Sequence, residues 1–160
     1  MTRPLRERGV TILEMLVVVT LVGVMVGISF PAVTSGVDSL RLISAADSVA
    51  SFLNGALNRA ERRQEVMEVT ISKAENKLVL RSSEPNFVRE LPMPSGVTIT
   101  AVLPETVQTD DSPRRIFLYP GGTVPRIGVE LMNRRNAKKI VRVDPMTGAP
   151  QIENVMDESR

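Results

Sequence analysis

The 160-residue chain has no cysteine, no histidine and no tryptophan, and aromatic residues make up only 3% of it. Without cysteine there are no disulfides, no thiolate zinc sites and no thiol nucleophile, and without histidine the usual general base and the commonest metal ligand are missing too. No catalytic residue, cofactor or metal is expected, and the chain is not read as an enzyme. An excess of one charge sign is also lacking, since 20 Lys and Arg stand against 18 Asp and Glu, which argues against binding nucleic acid through global charge. What the chain does have is 42% apolar residues, enough at this length for one domain with a core of Val, Ile, Leu and Met.

Those apolar residues are concentrated near the N-terminus. After Glu14 no charged residue appears until Asp38, and residues 15–33 are almost wholly Val, Leu, Met, Ile, Gly and Ala. About 20 helical residues cross the ~30 Å hydrocarbon core, so Val10 to Ser29 is long enough, and a transmembrane helix is predicted over 10–33. Arg3, Arg6 and Arg8 precede it, and positive flanks stay cytoplasmic, which predicts a single pass, N-in and C-out. A secretory signal peptide also starts basic, but its apolar region runs about 7–15 residues to a small-residue cleavage site, for which Phe30-Pro31-Ala32-Val33-Thr34 is a poor match. A plain signal anchor leaves Glu14 unexplained, because a carboxylate at mid-membrane costs on the order of 2.5–3.5 kcal/mol, less near the interface, and normally has a partner.

Glu14 closes the pattern Arg8-Gly9-Val10-Thr11-Ile12-Leu13-Glu14, in which a Gly is followed by an apolar residue, Thr, two apolar residues and Glu at the head of the hydrophobic helix. This resembles the type III signal of type IV prepilins and type II secretion pseudopilins. The resemblance implies that prepilin peptidase cuts between Gly9 and Val10 on the cytoplasmic face and methylates the new N-terminus, so that residues 1–9 are a leader peptide. A residue without a side chain at position 9 leaves the peptide bond open to a protease. A free α-amino group at Val10 is largely protonated near neutral pH, and Glu14 can neutralise it in its own chain or in a neighbour along a filament, which makes Glu14 the assembly determinant. Loss of the leader removes Arg3, Arg6, Arg8 and Glu7 and leaves the remaining side-chain charges in balance.

Gly23, Gly27 and Pro31 lie within or at the end of the apolar run, where Gly weakens helical bonding and Pro lacks a donor, so a kink or loosened stretch is expected at Gly23 and Pro31; close helix packing in lipid is the competing explanation. Residues 34–65 are predicted as an amphipathic continuation, with Leu42, Ala46, Val49, Leu53, Ala56, Leu57 and Ala60 spaced three or four apart. From residue 66 to 160 the period shortens. Met67, Val69 and Ile71 alternate with polar residues, Lys73 to Asn76 turns the chain into Lys77–Arg81, and further strands are predicted at Phe87–Leu91, Val97–Val102, Arg115–Tyr119, Ile127–Met132, Ile140–Asp144 and Gln151–Val155. The fold class is α+β: a long N-terminal helix packed on an antiparallel sheet or two sheets.

The order Ile116-Phe117-Leu118-Tyr119-Pro120-Gly121-Gly122-Thr123, then Ile140-Val141-Arg142-Val143-Asp144 and Met146-Thr147-Gly148, resembles the C-terminal domain of GspH/FimT-type minor pseudopilins. That implies the pilin-like fold and a structural role in a periplasmic pseudopilus, with prepilin peptidase, other major and minor pseudopilins and the inner-membrane platform as partners. A FimT-like minor pilin of a type IV pilus and an unprocessed membrane-anchored domain are the rivals. Pro120–Thr123 reads as a tight turn, since it lacks the Lys and following helix of a phosphate loop. Asp110 and Asp111 read as a solvated loop in preference to a calcium site. The basic run Arg134, Arg135, Lys138, Lys139 and Arg142 has no aromatic neighbours for base stacking and reads as a solvated hairpin or a contact for an acidic partner.

Overall fold

The structure, a computed structural model, describes residues 10–83, 87–105 and 112–155, except for the side chains of 30–35. Gly9 and the rest of the leader, Asp110 and Asp111, and the tail from Asp157 to Arg160 lie outside the described residues. The chain divides into two compact units at Val37/Asp38.

One helix, α1, runs from Ile12 to Arg63, and helical assignment continues without a break through Gly23, Gly27 and Pro31. In the first unit its stretch Ile12–Ser29 has a mean hydropathy of 2.4 and none of it is buried, so this is a helix long and apolar enough to cross a membrane. Within this run the Thr20 hydroxyl donates to the carbonyl of Leu16 at 2.7 Å, which satisfies that donor inside the helix.

In the second unit the helix has one buried stripe. Leu42, Ala45, Ala46, Val49, Phe52, Leu53, Ala56 and Ala60 are buried and Leu57 packs at the margin, at the three- and four-residue spacing that puts side chains on one face. The helix stops where Gln64 turns left-handed at φ +55. Gln64 Nε2 donates to the Glu61 carbonyl at 2.7 Å, while Arg62 and Arg63 sit in the last turn, where cations suit the helix dipole.

The stripe shares a single core with two four-stranded sheets. The first has the order β3-β2-β1-β5, from β1 (Met67–Ser72), β2 (Lys77–Ser82), β3 (Val88–Pro92) and β5 (Arg114–Leu118); the second has the order β4-β6-β7-β8, from β4 (Val97–Leu103), β6 (Gly128–Asn133), β7 (Lys138–Val143) and β8 (Pro150–Val155). Every neighbouring pair is antiparallel, so the two-sheet alternative is the one realised. Alternation sets the faces: Met67, Val69 and Ile71 from β1 and Val129 and Leu131 from β6 are buried in the core.

Strand ends differ from the sequence-based bounds by up to two residues. β7 starts at Lys138 and not Ile140, because the Asn133 N–H donates to the Ala137 carbonyl at 3.0 Å and pairing begins at once with Met132 opposite Lys138. Tyr119 falls outside β5 because its carbonyl already accepts from the Gly122 N–H at 3.1 Å in the following turn. Gly121 there has φ +64, the left-handed residue that a type II turn needs after a Pro.

Candidate functional site

The candidate site is the start of α1. Val10 is exposed, Ile12 opens the helix, and between them Thr11 is its N-cap: Thr11 Oγ1 accepts from the Glu14 N–H at 3.2 Å and the Thr11 carbonyl accepts from the Met15 N–H at 3.2 Å. A capping hydroxyl satisfies one of the four N–H groups that a helix start leaves unpaired. Glu14 therefore sits at the third helical position, where a carboxylate is favoured by the helix dipole. Its side chain is exposed, and it is the only acidic or basic residue in the Ile12–Ser29 stretch. Thr11 carries no role in the sequence-based expectations, although Thr-x-x-Glu is itself a capping signal. Gly23 has open space around it, with nothing within 4 Å of where a Cβ would stand.

The other motifs fall in the second unit. The Pro120–Thr123 loop is a turn docked on the helix, since the Gly121 N–H donates to Glu61 Oε1 at 3.0 Å, which occupies a donor that a phosphate would need. The basic run does not form one field. Lys138 Nζ meets Glu130 Oε1 at 3.0 Å, Arg142 meets Glu153 at 3.9 Å, and Lys139 Nζ donates to Asn154 Oδ1 at 2.6 Å. Arg134 lies over Gly96, where a Cβ would come within 3.0 Å of its Nε. The hairpin that carries them is held by buried Asn133, whose Oδ1 accepts from the N–H groups of Arg135 and Ala137 at 2.9 and 3.0 Å. Among the described residues no group of three or more acidic side chains is placed to hold a metal ion.

This arrangement alters Glu130. Partial burial pushes its carboxyl up, but the hydrogen bonds from Lys138 Nζ and Thr100 Oγ1 (2.8 Å) and the Lys138 charge outweigh that and hold it below the ordinary glutamate value. A lowered folded-state value gives stability that is present above the unfolded value and is lost as pH falls through the folded one. Glu130→Gln is expected to flatten the acid limb of a urea-midpoint profile below about pH 4.3; profiles of variant and wild type that fall in parallel would show that the Lys138 and Thr100 contacts carry no such linkage.

Residues 4–30 match the prokaryotic N-terminal methylation motif. No curated protein and no solved structure matches the chain. The matched stretch takes in Gly9, Val10, the Thr11 cap, Glu14 and the exposed apolar helix, and it indicates a type IV pilin-like protein that is processed by prepilin peptidase and anchored by that helix.

Proposed function

We propose that this protein is a minor pseudopilin of GspH/FimT type in a type II protein secretion system, with a structural and not a catalytic role. It is inserted in the bacterial inner membrane with residues 1–9 cytoplasmic and the two-sheet domain periplasmic. Prepilin peptidase cuts between Gly9 and Val10 and methylates Val10, and the mature chain joins other pseudopilins in a filament whose growth, driven from the membrane platform, exports folded proteins. The single observation that carries this reading is the methylation motif over residues 4–30 at the head of a helix that is apolar and unburied over Ile12–Ser29 and then packs on two sheets. The strand β5 running into the Tyr119–Gly122 turn, and β7 running into the turn closed by the Gly148 N–H on the Asp144 carbonyl at 2.8 Å, support the subfamily.

The test is the intact mass and N-terminal sequence of the protein from membranes of cells with and without prepilin peptidase. A chain that starts at N-methyl-Val10 only when the peptidase is present is the expected result. A Met1 start in both makes it a signal-anchored domain, and a start beyond Ala32 makes it a secreted one. Loss of secretion on deletion, with twitching and transformation intact, is expected for the pseudopilus; the reverse pattern assigns it to a type IV pilus.

A further inference from the structure

We infer that a cleft at one end of the second sheet is a docking site for a partner peptide that presents an aliphatic side chain next to a carboxylate. The cleft measures about 420 Å³ and has apolar walls from Leu103, Pro104, Ile127 and Pro145. Strand register builds it. Leu103 pairs with Gly128 and Gly128 with Arg142, so the end of β4, the start of β6 and the end of β7 meet there. The Val143 N–H donates to the Ile127 carbonyl at 2.8 Å, and both residues belong to the core. Gly128 keeps the floor open and close to β4: a Cβ on it would fall 2.9 Å from Leu103 Cβ.

The mouth is cationic. Arg126 is exposed and has no ion pair among the described residues, and Arg142, half exposed, meets Glu153 only at 3.9 Å. Guanidinium groups bind carboxylates through paired donors, and apolar walls take an aliphatic side chain. The combination fits a residue pair such as Leu-Asp, for which neither half of the site is sufficient alone. A bare phosphate would find donors only at the mouth, and a nucleic-acid base would find no aromatic lining to stack on. The volume is at the low end for ligand sites, which suits one or two side chains and not a long acyl chain. This site lies in the second unit and stands whichever filament the protein joins.

The full chain, methyl-labelled and held in detergent micelles, is titrated with the blocked tetrapeptide Gly-Leu-Asp-Gly while the methyl resonances of Leu103, Ile127 and Val143 are followed. Saturable shifts are expected, with affinity falling about tenfold or more for the Gly-Leu-Asn-Gly analogue and for Arg126→Glu, since hydrogen bonds between charged groups are worth roughly 1.5–3 kcal/mol and 1.4 kcal/mol is a factor of ten. Arg126 is solvent-facing, so the variant's methyl spectrum without peptide is expected to match that of wild type. No shift, equal affinity for the Asp and Asn peptides, or shifts produced by short-chain phosphatidylglycerol and not by the peptide would overturn the proposal.

Discussion

Asn76→Ala is expected to destabilise the second unit by about 3 kcal/mol, read as a lowered urea midpoint for the full chain in mild detergent. Asn76 closes the β1–β2 hairpin at φ +50, and its side chain does what a neighbouring strand would do. Its Nδ2 donates to the Val97 carbonyl at 2.8 Å and its Oδ1 accepts from the Ile99 N–H at 2.9 Å, while its own carbonyl accepts from the Met93 N–H at 3.0 Å. Val97 and Ile99 lie on β4, an edge strand of the second sheet, so one amide ties a turn of the first sheet to the edge of the second. Truncation leaves a donor and an acceptor without partners, at about 1–3 kcal/mol each where they are buried. Alanine also fits the left-handed region less well than asparagine. Asn76→Gly loses the same two bonds without that conformational penalty, so it is expected to fall between wild type and Ala by about 1 kcal/mol. A cost below about 1 kcal/mol for Asn76→Ala would mean that water takes over both groups and that the two sheets are held by the core alone.

The contrast between that residue and its surroundings shows where reading a sequence succeeds. The helix stripe from Leu42 to Ala60 and the β1 alternation of Met67, Val69 and Ile71 are local periods, and each emerges on the core face. The Gly9-to-Glu14 spacing and the uncharged run after it are local as well, and the motif match falls on them. Contacts between distant positions leave no such trace. Asn76 reaches residues 21 and 23 positions away, and Glu61 meets Gly121 at a separation of 60; composition at those sites suggests only a turn and a solvated acid. The basic run looks like one patch because its members are close in sequence, but the register of β6, β7 and β8 places Glu130 and Glu153 beside Lys138 and Arg142. Register depends on which strands pair, and the move of β4 out of the first sheet is not visible in any one strand's alternation. Thr11 is the exception, a short-range cap whose signal stands in the sequence.

Under the proposed function, Glu14→Ala is expected to leave cleavage at Gly9 and the fold of the second unit intact while reducing recovery of the protein in pseudopilus-containing membrane complexes by about a hundredfold or more. Glu14 lies in the first unit and has no ion pair among the described residues, and the core of the second unit is made from residues beyond Val37, so stability there has no reason to change. Assembly is different. Removal of residues 1–9 under the proposed function creates a cation at Val10 in apolar surroundings, and the Thr11 cap sets the helix start so that Glu14 falls in the first helical turn, four residues along the chain from it. When helices of neighbouring subunits pack, both charges leave water. Taking away one member of a desolvated pair leaves the other uncompensated, at about 3–5 kcal/mol, and 1.4 kcal/mol is tenfold in an equilibrium. Glu14→Gln separates charge from shape, since it keeps the length and a hydrogen-bonding oxygen, and it is expected to recover only a minor part of the loss. Thr11→Ala, which frays the first turn without removing either charge, is expected to fall between wild type and Glu14→Ala, because an N-cap is worth about 1 kcal/mol. Recovery of Glu14→Ala at the wild-type level, with mature Val10 confirmed by mass, would show that the carboxylate does not neutralise the N-terminus and that register in the filament comes from the apolar helix and the second unit.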